Sequence, residues 1–276
     1  MAASKTRLTI VFAAVVVVAV AAFFGVRAIW RAAEQHFVST GCDVGSYHVD
    51  TDQASVASAM VGAVSRYRPR LPDRAAVLVL AAGLQESKLT NLAPGEGDRD
   101  SVGVLQQRPS QGWGGGDPQR LTDVTEATTE FLDALVRIKH WPKLPLAVAV
   151  QRVQISADGS AYAQHEPEAQ ALAKALQGHK PAAISCSFDK PTLVASVAKV
   201  RSLLRAQLPV QRVIAQHKTV RVPGADWQTV AWFVANADRL GIDSVRYSGK
   251  RWSREHGWQR DKAAGKAAVI AAMATV

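Results

Sequence analysis

From Leu8 to Val26 the chain reads LTIVFAAVVVVAVAAFFGV, nineteen residues without a charge. At 1.5 Å per residue such a run has about the length that crosses a hydrocarbon core of roughly 30 Å. Lys5 and Arg7 precede it and Arg27 and Arg31 follow it, so the positive-inside bias is weak. A cleaved signal peptide competes with an anchor, because AVA at 19–21 is rich in small residues. The apolar run continues past that point through Phe23 and Phe24, which favours an uncleaved transmembrane helix. The expected location is therefore the cell membrane, with a single pass and the bulk of the chain extracytoplasmic. One span gives no translocation path, which excludes a transporter.

The two cysteines fit that placement. Cys42 lies soon after the anchor and Cys186 far downstream in ISCSF. An even count in an exported chain favours a disulfide over two unrelated buried thiols. Closing so long a loop contributes on the order of 4–5 kcal/mol in the chain-entropy view. No Cys/His spacing suggests a metal, and no cofactor is expected.

The formal charge of +10 is unevenly spread. Residues 1–186 carry 18 Lys and Arg against 17 Asp and Glu, whereas residues 187–276 carry 15 against 6. For an exported domain the anionic partners at hand are wall polymers and lipid head groups, not nucleic acid.

Helical periodicity marks DQASVASAMVGAVSRY, AAVLVLAAGLQESKL, LTDVTEATTEFLDALVRI, LPLAVAVQRVQI and SAYAQHEPEAQALAKALQG. From about residue 190 the pattern changes to a helix TLVASVAKVRSLLRAQL, a strand TVRVPG, a helix DWQTVAWFVANADRLG and strands DSVRYSG and KRWS. The expected fold is mainly α. It divides into a tail and anchor over 1–30, a linker over 31–52, a helical domain over 53–186 and a small basic α/β module over 187–276.

The second of those helices carries Glu86 on a face with Ala75, Val79, Ala82, Gly83 and Leu89. A carboxyl in an apolar setting has its charged form disfavoured, so it can stay protonated near neutrality and act as a general acid. Glycosidic cleavage needs such a proton at the leaving oxygen. The irregular, Gly-rich stretch that follows supplies Ser101, Gln106, Gln107 and Arg108, which can hydrogen-bond sugar hydroxyls or N-acetyl groups. It also supplies Trp113, whose flat face suits a sugar ring. Asp98 and Asp100 are candidates for a second carboxylate that holds a water, or they pair with Arg99 or Arg108 and hold the loop.

The run LAAGLQESKLTNL…DSVGVLQQ resembles the signature of the lysozyme-like superfamily, the soluble lytic transglycosylases and goose-type lysozymes. In that family a helix ends in a catalytic glutamate followed by serine, and a glycine–hydrophobic–hydrophobic–glutamine turn lines the cleft. Glu86-Ser87 and Gly103-Val104-Leu105-Gln106 match it residue by residue. The wider run GDRDSVGVLQQRPSQGWG, with AVQR…AYAQHE, is similar to a group of actinobacterial exported proteins with this core. The resemblance covers roughly residues 50–180. It implies a helical lysozyme-like domain that cuts peptidoglycan glycan strands, with Glu86 as general acid and Ser87, Gly103 and Gln106 beside the substrate. Where the family has a later Ala-Tyr-Asn-Ala-Gly motif this chain has AVQRVQ, and Tyr162 is the candidate to stand in for the missing tyrosine. A catalytically inactive wall-binding or scaffold protein is the alternative.

The piece WFVANADRLGIDSVRYSGKRW resembles the back half of a peptidase-like domain of actinobacterial wall proteins. Its zinc-binding motif is absent here, so the module is expected to be non-catalytic. Its basic residues, with Trp227, Trp232, Trp252 and Trp258, suggest a surface for anionic wall polymers, although Trp232 falls on an apolar helix face.

Overall fold

The first helix forms where small and apolar residues alternate with few interruptions. Helix α1 (Thr51–Arg66) starts at Asp50, whose side chain and that of Gln53 close a capping box. Helix α2 (Arg74–Ser87) is buried along nearly its whole length, from Ala75 to Leu84. Shorter helices follow: α3 (Pro118–Leu121), α4 (Val124–Val136), α5 (Leu146–Gln154) and α6 (Glu166–Leu176). Asp123 caps α4 by accepting from the Thr125 and Glu126 N–H groups. A 3₁₀ turn over Ser160–His165 leads into α6. The computed structural model describes residues 40–156 and 158–275. The expected transmembrane run lies outside them, and among the described residues no helix is long and apolar enough to cross a membrane.

Strands change the expected class. Among the described residues helices make up 46% and strands 17%, and the strands form two antiparallel sheets, so the fold is not mainly α. The smaller sheet has the order β2-β1-β3, from β1 (Gly41–Val44), β2 (Tyr47–Val49) and β3 (Ile184–Ser187). Part of the expected linker is thus a hairpin. Cys42 faces Cys186 across β1 and β3, and the two form a disulfide.

The C-terminal half builds helix α7 (Val197–Gln207), strands β4 (Ile214–Gln216) and β5 (Thr219–Pro223), helices α8 (Trp227–Ala235) and α9 (Ala237–Leu240), then β6 (Ile242–Tyr247), β7 (Lys250–Ser253), β8 (Gly257–Arg260) and β9 (Ala268–Met273). Its six strands run in the order β4-β5-β9-β6-β7-β8. Cross-strand pairing aligns Val220, Ala271, Val245 and Trp252 on the inner face, all buried. The sequence pattern missed β9, because its alanine-rich run lacks polar alternation. Insertion between β5 and β6 fixes it as a strand, overriding the helix preference of alanine.

Apart from a small separate cluster of Val102, Leu121 and Ala127 under the glycine-rich loop, the main hydrophobic core runs from β1 through the helices to β9. Its polar joints are few and specific. The buried Asn236 amide donates to Ser58 Oγ (2.9 Å), Gln228 Nε2 donates to Ser65 Oγ (2.6 Å), and Arg66 donates to the Arg205 carbonyl (2.8 Å). The tryptophans expected to form a binding surface belong largely to this core. Trp252 and Trp232 are fully buried, donating to the Cys186 carbonyl and to Gln207 Oε1. Trp227 and Trp258 are half-buried and pack on each other at 5.8 Å between ring centres.

Candidate active site

Helix α2 ends without a glycine. The chain leaves it through two consecutive left-handed residues, Lys88 and Leu89 (φ 53° and 61°), whose N–H groups bond back to the Leu84 and Gly83 carbonyls. Gln53 Nε2 caps the Lys88 carbonyl at 2.8 Å. Glu86 therefore sits in the last helical turn, half-buried. A carboxylate there faces the negative end of the helix dipole, an arrangement that does nothing for helix stability.

What holds Glu86 comes from the 3₁₀ turn. Tyr162, 1% exposed, donates its hydroxyl to Glu86 Oε1 at 2.5 Å. Burial, and then the bond to Glu86, push the Tyr162 hydroxyl well above the ordinary phenol range, so it remains a donor. Side chains three apart in a 3₁₀ turn lie over one another. Three residues on from Tyr162, His165 accordingly meets the same helix end, its Nε2 lying 3.0 Å from Gln85 Oε1. Desolvation lowers the His165 pKa, which favours the neutral ring, and with Gln85 Oε1 as acceptor the Nε2–H is the donor.

The glycine–hydrophobic–hydrophobic–glutamine turn is pinned to the same place. Ser87 Oγ donates to the Val104 carbonyl (2.8 Å), and Gln154 Nε2, from the end of α5, donates to the Leu105 carbonyl (2.8 Å). Gly103 has φ 76°, and a Cβ there would run into the Leu121 carbonyl oxygen, so only glycine fits. Gln106 is itself left-handed (φ 48°) and half-buried, its amide turned back to the Gly103 carbonyl.

The candidate residues separate into three groups. Glu86 and Tyr162 meet directly, and Ser87 anchors the turn that holds Gly103 and Gln106. Ser101, Gln107 and Arg108 instead build the loop. Ser101 and Gln107 are buried, the Gln107 amide donates to the Ala127 carbonyl, and Arg108 Nε lies 2.6 Å from Asp100 Oδ1. Both Asp100 oxygens are engaged, since Oδ2 accepts from the Ser110 N–H at 2.8 Å. The hydrogen bonds from Ser110, reinforced by Arg108, hold the Asp100 carboxyl well below the usual carboxylate range. Asp98 is exposed, 3.9 Å from Arg99. Neither aspartate has a bond to Glu86 or Tyr162.

Trp113 forms the third group alone. It lines a groove with Glu130, Asp133 and Arg137, and neither Glu86 nor Tyr162 is among the residues of that groove. Gln154 and His165 are the residues that pattern reading did not single out. Their partners stand 49 and 80 positions away, so no local signal announces them.

Among the described residues, five of the nine non-glycine residues with positive φ are Lys88, Leu89, Arg99, Gln106 and Ile155, in the segments that follow α2, build the glycine-rich loop and end α5. Backbone held in sparsely populated regions clusters at functional sites. The chain matches no protein-family model, and no curated protein is similar enough to count as a relative.

Proposed function

We propose that the protein cleaves the glycan strands of peptidoglycan, with Glu86 as the proton donor. The observation that carries this reading is the Tyr162–Glu86 bond. The Tyr162 hydroxyl fixes the carboxyl through Oε1, which leaves Oε2 as the atom that would deliver a proton to a glycosidic oxygen as the C1–O bond breaks. The developing positive charge on the sugar is then faced by the Glu86 carboxylate, which next takes a proton from the attacking group. Asp100 is tied at both oxygens, and Asp98 is exposed beside Arg99 with no bond to Glu86 or Tyr162. Neither candidate carboxylate is held toward Glu86, which favours attack by the substrate's own 6-hydroxyl and an anhydro product. In this reading the chain is held at the membrane by its N-terminal span, and the exposed Lys199, Arg201, Arg205, Lys218 and Arg221 contact anionic wall polymers.

The test is zymography on purified peptidoglycan with the wild type and Glu86→Gln side by side. Clearing by the wild type alone, with anhydro ends in the released fragments by mass spectrometry, supports the reading. Equal clearing by both proteins sinks it. A wall-binding protein without turnover is the second reading, favoured by α5, which carries AVQRVQ where the resembled family has its tyrosine–asparagine motif. Co-sedimentation with sacculi and no released fragments would select it.

A further inference from the structure

Three grooves adjoin on the surface of α1 and α4. The first, about 480 Å³, is lined by Trp113, Arg120, Glu130, Asp133 and Arg137. The second, about 320 Å³, shares Asp133 with it and adds Tyr67, Arg66, Arg68 and Thr129. The third, about 670 Å³, shares Arg68 with the second and runs on past Arg70, Asp73 and His179 to Gln228, where the helical part meets α8. We propose that these three grooves form one track for a chain of pyranose sugars bearing charged substituents, a second binding site separate from the residues around Glu86.

Two aromatic side chains stand along the track, and both are held in place. Trp113 is half-buried against the core, in a turn whose Gly114 N–H donates to Glu130 Oε2 at 2.7 Å. Tyr67 is likewise half-buried and donates its hydroxyl to Asp133 Oδ1 at 2.7 Å. Flat, pre-positioned rings that flank carboxylates and guanidinium groups suit sugars. The ring takes the C–H face while the polar groups exchange hydrogen bonds with hydroxyls. The volumes lie in the range of ordinary ligand sites. Charge discriminates the occupant further. Arg120, Arg137, Arg68 and Arg70 line the grooves together with Glu130, Asp133 and Asp73, so a uniformly anionic polymer would meet carboxylates as well as guanidinium groups. A glycan with both amine and carboxylate substituents would find partners of opposite charge for each.

The choice of sugar probe rests on the glycan-cleavage reading, whereas the track itself is independent of Glu86. The experiment uses the full-length protein carrying Glu86→Gln, so that nothing is cut, titrated calorimetrically with a soluble β-1,4-linked N-acetylglucosamine–N-acetylmuramic acid oligomer whose lactyl groups bear short peptides with free amines and carboxylates. Asp133→Ala and Arg137→Ala change exposed residues and leave the core intact. Each is expected to weaken binding about tenfold with an unchanged melting temperature, and Trp113→Ala to weaken it more. No binding by the parent protein, or equal binding in all three variants, overturns the track. Zymography of Glu86→Gln separates the two ideas. Full clearing by that protein together with weakened binding of the charged oligomer in Asp133→Ala supports the track and removes Glu86 from cleavage. Lost clearing with binding unchanged across the variants does the reverse.

Discussion

The helical region and the C-terminal sheet region satisfy their polar groups in opposite ways. Around the six-stranded sheet, indole N–H groups end on nearby carbonyls inside the core, as Trp252 does on Cys186 and Trp258 on Ile184. Non-glycine residues with positive φ occur there only at His217 and Ser248, the tips of the β4–β5 and β6–β7 hairpins, where the turn geometry demands them. Around Glu86 the same conformation appears where the chain leaves helices, at Leu89 and Ile155, and at Gln106 in the short loop closed by the Val102–Gln107 bridge. Gln53 and Gln154 hold the carbonyls that precede Leu89 and Gln106. There, side chains from four separate segments reach across to pin one loop and one carboxyl. One region is built for stability, and the other keeps strain in a fixed arrangement.

That contrast can be attacked from its strongest point downward. Glu86→Gln should lower glycan cleavage by about 10²- to 10⁴-fold, the share of a general acid, with little change in melting temperature. A large loss of stability instead would make Glu86 a structural residue. Trp252→Ala should do the opposite, costing about 3–5 kcal/mol by chemical denaturation while any folded fraction keeps its specific activity. Tyr162→Phe should reduce cleavage about tenfold and stability by about 1 kcal/mol, since a single buried hydrogen bond is lost. Wild-type turnover in that variant would detach the tyrosine from the chemistry.

The helical periodicity placed α1, α2 and α4 to α6 without help from tertiary contacts, and the hairpin strands β6 and β7 likewise. Strand β9 was hidden because alanine says nothing about which neighbours it will pair with. Strands β1 and β3 were hidden because each is four residues long and takes its state from its partners and from the disulfide. At the site, Glu86 and the Gly103–Gln106 turn could be found as a motif. Gln154 and His165 could not, since their roles exist only after the chain has folded back upon itself.

Two smaller effects sharpen the comparison. Ile155 is 82% exposed and left-handed at φ 53°, so Ile155→Gly should raise stability by about 0.5 kcal/mol by relieving strain, measured by urea denaturation. A loss above that size would mean its side chain packs against something. His165 has its pKa lowered from the ordinary 6.5 by desolvation. The unfolded chain then binds more protons than the folded one as pH falls below about 6.5, and stability declines on that acid side. His165→Gln should flatten the decline, read as melting temperature against pH from 7 to 5.

The disulfide has a mechanical consequence. Strand β1 begins at Gly41, just where the described fold takes up the chain, and its second residue is bonded through sulfur to β3. Tension arriving along the preceding segment would pass to β3 through a covalent link rather than peel β1 away one hydrogen bond at a time. Reduction would turn that rivet into a zip.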